Sequence, residues 1–295
     1  MNRGVRRERI LAADGTRLAL YRLGPPDASP VLMMPGTFSN HTFWLGTRGH
    51  GLAWSVARAG FQAVVLDPRG HGASEHAAGR RSVFEHWGRL DVPAAVAAIA
   101  ADHPRVLLVG HSAGGAAMVM ALAGEPEVRE RVAGVVVLAT PVPWLQRWGR
   151  FGARGLRFTS RLLGRFPARL VGLGPEDEQP GVMAQWMTWY LRRQWIGEEG
   201  LDYVARLAEV PTPVLGISGA GDSVFAPPVA CRALVEMLGS GDRSYRLAGR
   251  ETGFAEDFDH VSIVVGAAAQ DQVWPIIIGW LRDHSPPVPR GLHAR

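Results

Sequence analysis

Val106-Leu107-Leu108-Val109-Gly110-His111-Ser112-Ala113-Gly114-Gly115 carries a short apolar run straight into a Gly-x-Ser-x-Gly motif and on into small residues. The motif alone says little, because with 36 Gly in 295 residues about 0.2 chance matches are expected. Its setting says more. A serine on a sharp turn between a buried strand and a helix needs tiny neighbours, so that the backbone can fold back on itself and leave the hydroxyl exposed. Here the strand, the helix and the glycines are all present, which makes Ser112 a candidate nucleophile. The plainer reading is a Gly-rich turn in which Ser112 only caps a helix.

Outward from this stretch the same rhythm repeats. Residues 30–35 (PVLMMP), 62–67 (QAVVLD), 132–139 (VAGVVVLA) and 213–218 (PVLGIS) are apolar and continuous rather than alternating, the pattern of strands buried on both faces. Residues 244–247 read as a weaker strand, and 8–10 with 18–21 as an antiparallel opening hairpin around Asp14-Gly15. Helical spacing fills 51–59, 83–101, 113–123, 228–238 and 271–282. Strand–helix alternation predicts an α/β fold, a doubly wound and mostly parallel sheet. Residues up to Arg7 and from Ser285 onward read as loose tails.

Residues 141–210 break the rhythm, since they contain no strand-like run and far exceed one crossover helix. They hold five of the ten Trp (Trp144, Trp148, Trp186, Trp189 and Trp195). The expected organisation is a core in two parts, 1–140 and 211–295, interrupted by a helical cap over 141–210. The cap is divided by charge. Arg147, Arg150, Arg154, Arg157, Arg161, Arg165 and Arg169 come without an acid between them, and Glu176, Asp177, Glu178, Glu198, Glu199, Asp202 and Glu209 follow. A solvated face paired with the acidic half is the expectation; contact with an anionic membrane surface is the sharper alternative.

Composition narrows the function classes. A hydrophobic fraction of 47% with 20% charged residues is globular. The net charge of +5 comes from 32 basic residues that are all Arg, and without a nucleic-acid motif a nucleic-acid partner is not expected. The one cysteine, Cys231, leaves no disulfide framework and is read as a packing residue. His71, His76 and His86 lack metal-ligand spacing, so neither metal nor cofactor is expected. Residues 1–10 carry four Arg and no apolar run, so the expectation is a soluble cytoplasmic chain.

A serine nucleophile needs a base and an orienting acid, in the chain order Ser, acid, His. Asp222 follows the strand at 213–218 on a Gly-rich loop, and His260 lies after the last weak strand. Asp257 and Asp259 are alternative acids, and the plainer reading of Asp222 is an Asp that stabilises its own turn. His260 would take the serine proton, and Asp222 would hold its tautomer. A tetrahedral oxyanion needs two donors. One would be the Ala113 N–H, and the other would come from the loop beginning Pro35-Gly36.

On these residues the sequence resembles an α/β-hydrolase. The likeness rests on Pro35-Gly36-Thr37, on Asp67-Pro68-Arg69-Gly70-His71-Gly72-Ala73-Ser74, on the Ser112 turn, on Gly221-Asp222 and on Asp259-His260. It implies a structural role for the Asp67–Ser74 stretch and names Thr37 as the second oxyanion donor, with Phe38 next. Phe38, His111, Trp186 and Trp189 are candidate substrate contacts. The implied activity is a serine carboxylesterase forming an acyl-enzyme on a small-molecule ester with an apolar acyl group. Thioesterase, C–C hydrolase, acyltransferase and non-catalytic binding readings stay open. Trp186, Met187, Trp189 and Tyr190 either line the acyl pocket or form the core of the cap.

Overall fold

The strand β1 (Arg6–Leu11) turns at Asp14-Gly15 into β2 (Arg17–Leu23), and β3 (Pro30–Met34), β4 (Gln62–Asp67), β5 (Val106–His111), β6 (Val132–Leu138), β7 (Val214–Gly219) and β8 (Arg243–Ala248) follow. They form one sheet in the order β1-β2-β4-β3-β5-β6-β7-β8. The pairs β1/β2 and β2/β4 are antiparallel, and all other pairs are parallel. The computed structural model describes residues 4–47, 49–76, 82–146 and 149–286, and does not include the side chains of Arg150, Arg157 and Arg161. Arg147 and Trp148 thus lie outside the described residues. The N-terminal tail is shorter than the sequence suggests, because Arg6 already pairs with Arg22.

The apolar strands sort their side chains by the period-two geometry of a pleated sheet. Leu32, Met34, Leu108, Val135 and Val137 enter one apolar cluster, and Val31, Met33, Leu107, Val109, Val136 and Leu138 enter the other. Both faces are therefore buried, which is why these strands read as continuous runs rather than alternating ones. The helices, in chain order, are α1 (Thr42–Leu45), α2 (Leu52–Arg58), α3 (Val92–Ala100), α4 (Ala113–Gly124), α5 (Pro126–Arg131), α6 (Arg150–Leu162), α7 (Pro180–Arg192), α8 (Tyr203–Leu207), α9 (Pro228–Met237), α10 (Ala267–Gln272) and α11 (Trp274–Asp283). The helix expected over 83–101 is split: a π-helical turn, Trp87–Asp91, precedes α3. Pro93, which has no N–H for the preceding turn, accounts for the widening.

The chain reverses direction across the sheet at β3, whose neighbours are β4 and β5. In open parallel sheets the crevice at such a switch point, outside the carboxyl ends of the strands, is where ligands bind. The loops after β3, β5, β7 and β8 all emerge there. The loop after β4 is held by buried charge instead: Arg69, fully buried, donates to Asp91 at 2.8 Å and to Asp14 at 2.8 Å.

Between β6 and β7 lie α6, α7 and α8, with no strand of the main sheet among them. Their aromatic side chains do not make a separate core. Trp186, Trp189, Trp195 and Tyr203 join Phe84, Trp87 and Met118 in one apolar cluster. Glu85 ties this segment to the rest of the chain. Its buried carboxylate accepts from the Tyr203 hydroxyl at 2.7 Å and the Glu198 N–H at 2.7 Å, and its own N–H donates to Gln185 at 2.8 Å. Removing this acceptor leaves buried donors unpaired, so Glu85→Ala is expected to lower stability by about 2–4 kcal/mol. Denaturant unfolding measures this. Tyr203→Phe removes one donor but leaves the carboxylate bonded through Oε2 to the Glu198 N–H, so it should cost less.

Candidate active site

The turn from β5 into α4 places Ser112 at φ 52°, ψ −122°, a conformation that L residues rarely adopt. The flanking residues explain how it is reached. A Cβ on Gly110 would collide with the backbone of Gly115, so the strand and the helix can approach only with glycine at this position. Ser112 N–H donates to the Leu138 carbonyl at 2.8 Å, which anchors the turn to β6. The helix α4 that follows is buried from Ala113 to Ala123.

Ser112, His260 and Asp222 are brought together from three separate loops. His260 Nε2 lies 2.9 Å from Ser112 Oγ, and His260 Nδ1 lies 2.5 Å from Asp222 Oδ2. Asp222 is buried, and its carboxylate is divided between two tasks. Oδ1 accepts from the Phe225 and Ala226 N–H groups at 3.1 and 3.0 Å, while Oδ2 faces the imidazole. It therefore stabilises its own turn and faces His260 at once. The alternative acids are occupied elsewhere. Asp259 accepts from the N–H groups of Val261 and Ser262, and Asp257 from that of Arg250.

A cavity of about 350 Å³ opens above Ser112. Thr37, Phe38, His111 and Ala113 line it, as does Trp186. Ala113 is the first residue of α4, so its N–H has no partner within the helix. Gly36 brings the β3 loop against Ser112: a Cβ there would lie 2.9 Å from Ser112 Cβ. Trp189 requires a correction, because it does not line this cavity. It is packed behind it, 5.7 Å from Phe84 and 6.1 Å from both Trp186 and Trp195 between ring centroids, and its indole N–H is held by the Ile196 carbonyl. Helical spacing alone does not separate the two, since positions three apart share a face of α7; the tertiary packing does, with Trp189 seated against Trp195 and bonded to Ile196. Met187 lines the cavity, and Tyr190 does not.

Asp67 has the structural surroundings expected of it. It accepts from the Tyr21 hydroxyl, the His41 N–H and the Ala73 N–H. His71 is fully buried 3.2 Å from Glu178 and joins this loop to the segment before α7. Burial alone would lower its pKa; the carboxylates of Glu178, Glu176 and Asp67 together outweigh that and raise it. Among the described residues, no group of three or more His, Cys, Asp or Glu could hold a metal ion.

Two further residues shape the site. Gln146 lines the cavity, accepts from the Trp186 indole N–H at 2.6 Å and donates to the Phe225 carbonyl at 2.5 Å. It thereby joins the inserted segment to the Asp222 loop. No sequence signal marks Gln146, since a lone glutamine beside a tryptophan has no motif. His111 is a cavity residue with a second task. Its Nε2–H donates to the His260 carbonyl at 2.7 Å, and its ring lies 4.8 Å from the His260 ring. It fixes the backbone of the loop that carries the imidazole.

The fold and this serine-bearing turn at the carboxyl edge of the sheet define an α/β-hydrolase. The chain belongs to the Alpha/beta hydrolase family, whose sequence model matches residues 31–288. Comparison with curated proteins yields no match. Among solved structures, a thermophilic esterase from Thermogutta terrifontis superposes with a TM-score of 0.65 at 18% identity, covering 95% of this chain and 100% of that one. An esterase from Rhodococcus sp. ECU1013 gives 0.63 at 19% identity, over 94% and 99% of the two chains. A monoacylglycerol lipase from Paleococcus ferrophilus gives 0.65 at 18%, over 91% and 99%. At these identities the likeness is one of fold.

Burial, reinforced by the neighbouring His260, pushes the His111 pKa down to about 3 from 6.5. Within that window the unfolded chain binds a proton that the folded chain excludes. Stability should therefore fall on acidification below the unfolded value, by up to about 1.4 kcal/mol per pH unit from this group. His111→Gln keeps a side-chain N–H and removes the titration. Thermal unfolding compared at neutral pH and at about pH 5 should show a smaller loss in the variant than in the parent.

Proposed function

We propose that the chain is a cofactor-independent carboxylic ester hydrolase that works through an acyl-enzyme on Ser112. The observation that carries this reading is the unbroken contact from Asp222 through His260 to Ser112 at the floor of an apolar cavity. Ser112 Oγ attacks the ester carbonyl while His260 Nε2 takes its proton, and the Asp222 carboxylate stabilises the imidazolium that results. The tetrahedral oxyanion is received by the N–H groups of Ala113 and Thr37. Collapse expels the alcohol, which takes the proton back from His260. Water, activated by the same imidazole, then attacks the acyl carbonyl and releases the acid and free Ser112.

The helical segment 141–210 acts as the cap in this reading. Leu173, Val182, Met183, Trp186 and Met187 supply much of the apolar lining, which suits an apolar acyl group. Steady-state rates on p-nitrophenyl esters of graded chain length, with matched thioesters alongside, test both the bond cleaved and the acyl preference. Ser112→Ala is expected to abolish turnover and leave the fold unchanged by circular dichroism. Asp222→Asn should lower kcat by about 10²–10⁴, because the tautomer and the imidazolium lose their partner. A fully active Ser112→Ala variant overturns the reading.

The two tryptophans of α7 should separate in their effects. Trp186→Ala enlarges the cavity and is expected to shift the preferred acyl chain to greater length, read from kcat/KM across the ester series. Trp189→Ala should leave that profile in place and lower stability by about 3–5 kcal/mol, the usual cost of emptying a buried indole site.

A further inference from the structure

We propose that α6 and the stretch that follows it, residues 151–173, form a face by which the chain docks on an anionic lipid surface. The proposal concerns binding and does not depend on the reaction assigned above.

The helix α6 divides into stripes by its register. Ala153 and Ser160 are fully buried and Leu156 is half-buried, and through these positions α6 packs on α7. Phe151, Phe158 and Leu162 recur at steps of seven and four, so they share a stripe on the opposite side. They are 87%, 68% and 73% exposed. Downstream, Leu170 is 85% exposed, with Leu163 and Val171 also in the open. Two phenylalanines facing outward on one helix are not the scattered apolar surface usual in a water-soluble chain.

Charge selects the occupant. In sequence register Arg150, Arg154, Arg157 and Arg161, at steps of four and three, fall on a third stripe of the helix, and residues 141–175 contain no Asp or Glu. Five acids of the second half have partners outside α6. Glu178 meets His71, Glu176 bonds Asn40, Glu199 bonds Arg89, Glu209 bonds Arg206, and Asp202 caps α8. Among the described residues one contact of the expected kind is present, Arg165 to Asp177 at 3.4 Å. A helix that buries small residues on one side and presents Phe and Leu outward beside arginines suits an interface between apolar chains and anionic headgroups. With 13 residues it is about 20 Å long, enough to lie flat on such a surface. Among the described residues no helix is long and apolar enough to cross a membrane.

The face is continuous with the cavity. Leu173, Gly174 and Pro175 line it, so the exposed run from Leu162 ends at its rim. Docking would set the mouth of the cavity against the lipid, where an apolar ligand is concentrated.

The test is co-sedimentation of the full chain with phosphatidylcholine vesicles and with vesicles that also contain phosphatidylglycerol. Partition is expected onto the anionic vesicles, with a clear reduction in high salt and on neutral vesicles. Phe151→Ser and Phe158→Ser, both at exposed positions, should each reduce partition about ten-fold while the thermal midpoint is unchanged. Arg154→Gln should reduce it about five-fold. Ser112→Ala should partition like the parent, which separates this test from the hydrolase reading. Absence of partition, or equal partition of the phenylalanine variants and the parent, overturns the proposal. So does lipid-free, concentration-dependent dimerisation that Phe151→Ser abolishes, which would assign the face to a second copy.

Discussion

The backbone of Ser112 is held where an L residue is strained, at φ 52° and ψ −122°, and such a conformation costs about 1–3 kcal/mol. Everything around the turn bears on keeping it. The sheet side is fixed by the bond from Ser112 N–H to Leu138 and by the parallel pairing of β5 with β3 and β6. The helix side is fixed by α4, whose run of Ala, Gly and Met is buried on every face. A helix of small residues can sit close to the sheet, and that closeness lets Gly110 face Gly115. The strained turn sets the hydroxyl 2.9 Å from His260 Nε2.

The serine is positioned by its own strand, but its partners depend on others. Asp222 is carried by the loop after β7 and His260 by the loop after β8, and their alignment follows from parallel strands ending at one edge. The alignment is reinforced by groups around the three side chains. One Asp222 oxygen is kept by two backbone N–H groups, which leaves the other aimed at the imidazole. His111, neutral and buried, holds the carbonyl of His260 itself. A neutral imidazole suits this position in the proposed reaction, since a second positive charge beside His260 would oppose its protonation.

The inserted segment is bound to the core by two kinds of contact. Its aromatic residues merge with the apolar cluster beneath the sheet edge, and its polar links run through a few buried groups, Glu85 and the His71–Glu178 pair. Glu178 is buried against His71, whereas Glu199 and Glu209 pair with Arg89 and Arg206 at the surface, so the acids of this segment serve both the core and its outer side.

Much of this was legible in the residues alone, for reasons that differ by element. Doubly buried parallel strands must be apolar throughout, and a strained turn must be flanked by glycine, so the sheet and the position of Ser112 follow from local chemistry. Chain order then singles out Asp222 and His260, although spacing alone leaves Asp257 and Asp259 open. Only the folded chain decides among these acids, because the choice rests on which carboxylate oxygen remains after the loops have satisfied their own N–H groups. The same holds for Trp186 and Trp189, adjacent in character and three residues apart, of which one meets the cavity and the other the interior. Gln146 and the second task of His111 had no sequence signature, since each works through a backbone carbonyl that any residue could supply. Residue type determines what a side chain can do, but a contact to a backbone carbonyl far along the chain exists only once tertiary structure has brought the two together.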